Sequence, residues 1–444
     1  MLCFHYPPAV SGGVERSVRF AKYLPEFGWN PAVVTTNRYG GERGTRGEAV
    51  VRVGELLRRA GAAPAGAAAP GVAGRAGADG SGSAWAGRIR AGAGVRARLR
   101  GGLIRFAEKW LLIPDKHIRW TTMAFVPALR MIRRGAADVI YTTSPPASAH
   151  VLGLMLKWLT RKPWVMDLRD CWTLEPLNWY LRAGGKRVSI EKMIERVCFR
   201  NADAVVTSTP EAEKKYAERY PRCARKIHAI PNGYDAQEFE DARATVTRND
   251  LVRSIDERVF VISHVGTFSR YADTGAYPKG FLDAVAGLVR EGAVSVRTCR
   301  IIFAGGMSPE TGRRIAGYGL DELMVRPGPV SHIDALRIMQ RSDLLLVYDP
   351  NSEGNYYIHG KLYEYLASGR PILGVLPPGA ARRLLERSGH AIAVTRDDAT
   401  EIRDALGAVF AGRLRQTRSE FTVAQYEGKH LTSMLAALLD TMDR

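Results

Sequence analysis

The stretch GKLYEYLASGRPIL, residues 360–373, fixes more of the surrounding architecture than any other part of the chain. Leu362 with Leu366, and Tyr363 with Ala367, place apolar residues four apart, the spacing of one helix face. Gly369 follows as the residue that most readily closes a helix, and Arg370-Pro371 cannot extend it. Residues 372–375 then read as a short buried strand, and 344–348 as the strand before it. One carboxylate, Glu364, sits among these apolar positions, one turn after Lys361. Two readings stand side by side. The pair is a solvated Lys–Glu couple on a helix face, or it is part of a binding site. For the second, a small-residue turn at 351–355 leads into a helix whose first residues, Lys361 and Leu362, favour an anion, with Glu364 one turn on to accept from a ribose diol.

The beginning of the chain has a similar grammar. Residues 1–5 read as the end of a strand whose full length is expected to begin upstream, since a strand usually needs about five or six residues. A loop with Pro7-Pro8 and Ser11-Gly12-Gly13 follows, then a helical pattern over 14–27 closed by Gly28, then a strand over 32–36. Strand, glycine loop, helix and strand form a βαβ opening. Gly12 and Gly13 fit an ordinary βα turn, and they equally allow backbone to approach a diphosphate. The pattern is not GxGxxG, so it carries no dinucleotide fingerprint. Further strands are predicted over 138–142, 163–167, 204–208, 227–230, 260–265 and 300–304, with helices between them over 124–133, 147–159, 189–201 and 210–220. The fold class is α/β.

At 444 residues and 46% hydrophobic content the chain can bury two cores. Its 64 Lys and Arg against 45 Asp and Glu leave a formal charge of +19, compatible with nucleic acid, anionic lipid or phosphorylated small molecules. Five cysteines without a CxxC pair suit free thiols in a reducing compartment. No signal peptide is visible and no apolar run reaches the length of a membrane span, so a cytoplasmic location is expected. Residues 58–102 are Ala, Gly, Pro and Ser with scattered Arg. They read as a flexible insertion that is either filler or a basic arm for anionic lipid. The amphipathic segment 103–113 is either a core-facing helix or one lying at a membrane interface.

Several stretches together resemble the retaining glycosyltransferases of family 4, in the branch that builds bacterial exopolysaccharide, capsule or lipopolysaccharide. They are FHYPPAVSGGVER at the start, DVIYTTSPP with PWVMDLRDCW, PNGYD, and the 360–373 segment. Cys171 stands where the usual residue is proline. The resemblance implies the GT-B fold, two facing Rossmann-like domains with a cleft between them and a C-terminal helix crossing back. The expected boundaries are 1–235 for the N-terminal acceptor-side domain, 236–258 for the linker, 259–415 for the nucleotide-sugar domain, and 416–444 for the crossing helix. Gly12 and Gly13 would face the donor phosphates and acceptor. Gly266 would open the donor phosphate loop, with Arg270 and Lys279 as the basic pair that clamps the diphosphate. The backbone at Val330, in GPVSH, would meet the base, and Lys361, Leu362 and Glu364 the phosphate and ribose. In the family a second glutamate lies eight positions before the ribose-binding one. Here that position is Tyr356, although Glu353 is nearby.

The implied activity is transfer of a sugar, with retention, from a nucleotide-diphosphate sugar to a glycan or polyprenyl-linked acceptor. No metal and no cofactor beyond the donor are expected, and peripheral contact with an anionic inner membrane face is compatible with the charge. Asp170, at a strand's carboxyl end, would hold a sugar hydroxyl, with Arg169 or Asp167 orienting it; otherwise Arg169 bridges two loops. His332 reads as a capping or surface residue. Three rivals remain: a sugar-nucleotide epimerase on the same fold, a scaffold-like transferase homologue, and a nucleic-acid binder, for which no recognition helix or aromatic strand pattern is present.

Overall fold

The structure, a computed structural model, describes residues 1–9, 13–40, 48–55, 112–174, 185–244, 255–267, 277–349, 356, 358–389, 391–395, 397–412 and 421–442. The 58–102 insertion, nearly all of the 103–113 helix, and Gly12 and Arg270 lie outside the described residues.

Two parallel sheets organise the chain. The first contains β1 (Ala32–Thr36), β2 (Ala49–Val53), β3 (Ile140–Ser144), β4 (Trp164–Leu168), β5 (Ala204–Thr207) and β6 (Ile227–Ala229). Leu2 bridges both Val34 and Thr142, so the chain's first residues lie between β1 and β3. The order is therefore β2-β1-start-β3-β4-β5-β6. The second sheet runs β12 (Ala391–Val394), β11 (Ile372–Val375), β10 (Leu344–Tyr348), β7 (Phe260–Val265), β8 (Cys299–Ala304), β9 (Met324–Gly328). In each, the order reverses beside the sheet's first segment, which opens a crevice at the strands' carboxyl ends.

Parallel strands are buried on both faces, and helices supply the cover. On one face of the first sheet, the Val14–Tyr23 helix and the Gly428–Asp440 helix pack Phe20, Leu431 and Leu435 against Tyr141, Val165 and Val206. The C-terminal helix thus crosses back onto the first half of the chain. The opposite face is covered by helices Ile118–Arg133, Ser148–Thr160, Lys186–Asn201 and Pro210–Arg219, which bury Trp120, Leu152, Phe199 and Tyr216 with Trp164 and Met166. The first of these begins six residues before the predicted 124–133 segment and continues through Pro127. Trp120, Ala124, Ala128 and Ile132 form one buried stripe at four-residue spacing, and their burial holds the longer helix despite the proline. Residues 236–244, read from sequence as the start of a linker, form a helix whose Phe239 and Ala242 join the second domain's core.

Charge is also buried inside the first domain. Asp167, fully inaccessible at the end of β4, accepts from Arg16 Nη2 at 2.8 Å, Tyr141 Oη at 2.7 Å and Thr143 Oγ1 at 2.8 Å. Burial alone would raise its pKa, but the Arg16 guanidinium and these hydrogen bonds hold the carboxyl below its ordinary value. Arg16 also donates to the Pro231 carbonyl at 2.7 Å, so the pair ties the first helix to the end of the domain.

Removing one partner leaves the other charge buried and alone. Asp167→Ala is expected to lower the unfolding free energy by about 3–5 kcal/mol in urea titration, and a loss below about 1 kcal/mol would show that the pair is not made in solution. Because the folded carboxyl is the stronger acid, its contribution is complete above the ordinary carboxylate pKa of 3.8 and is lost as pH falls below that value.

Candidate functional site

The reversal point of the second sheet lies between the carboxyl ends of β7 and β10, at Gly266 and Asp349. Gly266 has φ +149°, a conformation side chains avoid, and a Cβ there would stand 2.8 Å from Lys361 Nζ. The backbone conformation is what favours glycine here, and the lysine's tip occupies the space beside it. Lys361 belongs to the first turn of the Gly360–Ala367 helix. Its ammonium lies 3.5 Å from His264 Nε2, and desolvation, opposed by Asp349, brings its pKa down to about 8. At the helix N-cap, His359 Nε2 lies 2.6 Å from Asp349 Oδ2, anchoring the helix start to β10. Leu362 N–H is spent on the His359 carbonyl at 3.0 Å, so of the two helix-start residues it is Lys361 that offers a group to a ligand.

Glu364 lies one turn further and is buried rather than solvated. Arg19, on the first helix of the other domain, donates from Nη2 to Glu364 Oε1 at 3.1 Å and also bonds the Gly233 carbonyl. The same guanidinium lies 3.7 Å from Glu238. His332 Nε2 sits 3.2 Å from Glu238 Oε2 and 3.9 Å from Glu364 Oε1, with Glu15 beside them. Burial alone would lower the His332 pKa. The Glu238 hydrogen bond and the fields of Glu364, Glu15 and Glu238 outweigh it and push the imidazole up to about 9. Ser331, not His332, caps the helix His332–Arg341, accepting from Asp334 N–H. Val330 precedes it, half-buried at the rim.

Glu15, Glu238 and His332 bring one potential ligand atom each within 4.8 Å of the others. A cation would have to displace the proton that these carboxylates keep on His332, so the geometry reads first as an internal ion network. Arg19 and the imidazolium together offset the clustered carboxylates across the cleft.

The remaining predicted residues are more scattered. Asp170 is half-buried at the carboxyl end of β4, with no hydrogen bond or ion pair among the described residues. Arg169 does not orient it: the guanidinium bonds the Gly13 carbonyl and donates to Pro145 O at 3.4 Å, bridging two loops. A Cβ on Gly13 would stand 2.4 Å from the Arg169 guanidinium carbon, so glycine is what admits that bridge. Asp167 belongs to the buried pair already described. Lys279 opens the Lys279–Arg290 helix with its side chain 64% exposed and its ammonium 2.6 Å from Asp283. Among the described residues, the cation that meets Gly266 is Lys361. Tyr356 packs against the first domain's core, and its carbonyl accepts from Thr209 Oγ1.

Arg19, His264, Asp349 and His359 were not singled out from sequence. Arg16 and Arg19 lie three apart on the helix face opposite Val14, Val18 and Ala21, a side that reads from sequence as solvent-facing, so no signal marked Arg19. His264, Asp349 and His359 come together only through strand pairing.

Two parallel Rossmann-like sheets with facing carboxyl ends and a terminal helix that returns to the first define a GT-B fold. Residues 89–238 match the model of Glycosyltransferase Family 4. A glycosyltransferase from Rickettsia africae superposes with a TM-score of 0.62 at 14% identity, covering 99% of this chain and 97% of the other. Anabaena HepE, solved in complex with UDP and glucose, gives 0.53 at 16% identity over 72% and 81% of the two chains. A UDP-GlcNAc 2-epimerase from Neisseria meningitidis, bound to UDP-GlcNAc, gives 0.52 at 12% identity over 78% and 89%. No curated protein matches the chain by sequence.

The ion pair between the domains makes a direct prediction. A double-mutant cycle with Arg19→Met and Glu364→Gln should give a coupling of about 1–3 kcal/mol in unfolding free energy. Coupling indistinguishable from zero would mean that the two halves do not meet through this pair.

Proposed function

We propose that the protein is a retaining glycosyltransferase that moves a sugar from a nucleotide-diphosphate sugar to a glycan or lipid-linked acceptor in bacterial cell-surface polysaccharide synthesis. The observation that carries the reading is the half-buried Lys361, its ammonium beside Gly266 at the sheet's reversal point, with Glu364 one helical turn away. A diphosphate placed at that turn meets a cation and a helix N-terminus, and the ribose that follows meets a carboxylate. Arg19 holds Glu364 in place through Oε1, and the carboxylate accepts from the ribose diol. Lys361, joined by Arg270, offsets the charge that develops on the departing diphosphate, and this electrostatic stabilisation supplies most of the acceleration. The acceptor hydroxyl attacks from the face the nucleotide leaves. A donor phosphate oxygen takes its proton, and the anomeric configuration is retained. Asp170 binds a hydroxyl of one of the two sugars. No metal takes part in this scheme, so turnover should survive chelation by EDTA.

A second reading, a sugar-nucleotide epimerase, is favoured by the Glu15, Glu238 and His332 cluster, since epimerisation needs acid and base groups around the sugar. Incubation with donor alone separates the two: an epimerase converts it, whereas a transferase needs the acceptor.

Thermal unfolding in the presence of UDP, GDP, ADP, CMP or dTDP and their sugars tests the donor site, because a ligand that binds the native state raises the midpoint. One nucleotide should stand out, and Glu364→Ala and Lys361→Met should each abolish its shift. Affinity should fall as pH rises through about 8, where the Lys361 ammonium loses its proton, and Lys361→Arg should flatten that dependence. No shift with any nucleotide would overturn the assignment.

A further inference from the structure

The helices that cover the outer face of the first sheet carry six of the large apolar side chains the protein leaves exposed: Met123, Val126, Met155, Trp158, Leu159 and Met193. Their spacing is not random. Met123 and Val126 are three apart on the Ile118–Arg133 helix, opposite its buried Trp120–Ile132 stripe. Met155, Trp158 and Leu159 follow the i, i+3, i+4 pattern on the Ser148–Thr160 helix, whose Leu152 and Leu156 point inward. These two helices pack side by side, and the Lys186–Asn201 helix with Met193 lies against the second. Trp158 Nε1 donates to Asn201 Oδ1 at 2.9 Å, which ties the indole to that neighbouring helix while 59% of the residue stays exposed.

Cations surround these side chains. Arg130, Arg133, Arg161, Lys192, Arg196 and Arg200 are exposed on the same three helices or just past their ends, and none has a carboxylate partner among the described residues. The acids at this surface, Asp138 and Asp203, are engaged by Lys162 and Lys157. We infer that this helical layer is a docking surface for an anionic lipid bilayer. Its tryptophan and aliphatic side chains enter the headgroup boundary, and its unpaired guanidinium and ammonium groups meet lipid phosphates. A second protein or a second copy would have to match this one-sided charge with acids, which the same three-helix face of a second copy does not present, whereas an anionic bilayer does so everywhere. The layer covers a face of the sheet, while the candidate donor site lies at the strands' carboxyl ends, so docking leaves the cleft open. No helix among the described residues is long and apolar enough to cross a membrane, in keeping with peripheral rather than spanning contact.

The surface is independent of the donor reading, and vesicle binding tests it without nucleotide. The full chain is mixed with extruded vesicles of phosphatidylcholine alone or with 30% phosphatidylglycerol and sedimented. Binding to the anionic vesicles is expected, weakened by salt, and reduced by roughly tenfold or more both in Met155→Ser/Trp158→Ser/Leu159→Ser and in Lys192→Glu/Arg196→Glu/Arg200→Glu. Thermal midpoints within a few degrees of the parent confirm that both variants fold. Wild-type protein that ignores anionic vesicles, or variants that bind as the parent does, would overturn the assignment; the latter would move the contact to another part of the chain. A concentration-dependent dimer in sedimentation velocity, abolished by the same apolar substitutions, would overturn it in favour of a second copy.

Discussion

The buried guanidinium of Arg16, closed on Asp167, is the interaction that the first domain cannot do without. Desolvating each charge costs several kcal/mol, and only close pairing with further hydrogen bonds offsets that cost. Asp167 therefore collects Tyr141 and Thr143 from the neighbouring strand, and Arg16 reaches on to the Pro231 carbonyl. The network sets the first helix against the carboxyl ends of β3 and β4. One turn later the same helix presents Arg19. The position of the guanidinium that touches Glu364 is thus inherited from a knot that is itself buried.

That inheritance shapes the cleft. Arg19 enters from one domain, Glu364 and His332 from the other, and Glu238 from the helix between the sheets. Across the gap each charge is satisfied by a group on a different element, so relative movement of the halves rearranges the whole set together. The lysine beside Gly266 is arranged differently. Among the described residues its ammonium has no carboxylate within ion-pair distance, and desolvation, only partly opposed by Asp349, lowers its proton affinity. Stabilising pairs at the domain contact and an under-compensated cation at the turn are complementary designs. The first joins elements of the two domains, and the second is, under the proposed function, the group that meets the donor diphosphate.

Much of this was legible in the residues. Short apolar runs located the strands at Ala32–Thr36, Phe260–Val265, Leu344–Tyr348 and Ile372–Val375, because parallel strands buried on both faces leave little choice of side chain. Glu364 stood out because a carboxylate among apolar residues is costly unless it is used. The extent of the Ile118–Arg133 helix was harder to read, since Pro127 obscures a stripe that tertiary burial enforces. Lys279 and Lys361 look alike as basic residues near glycines; only the fold reveals that one is exposed and paired with Asp283 while the other is half-buried beside Gly266.

The sequence by itself determined the α/β class, the repeated strand–turn–helix order, the glycines that must bend, and the carboxylate that must find a partner. These are local matters, governed by periodicity, backbone conformation and the cost of burying charge. Tertiary structure alone decided which charges meet. Arg16 finds Asp167 across 151 positions and Arg19 finds Glu364 across 345. It also decided that Arg169 bridges Gly13 and Pro145 rather than serving Asp170, and that the apolar side chains of three separate helices share one outer surface. Electrostatic and packing energies depend on distance in space, and strand order, which brings remote segments together, is not written in the spacing of any one of them.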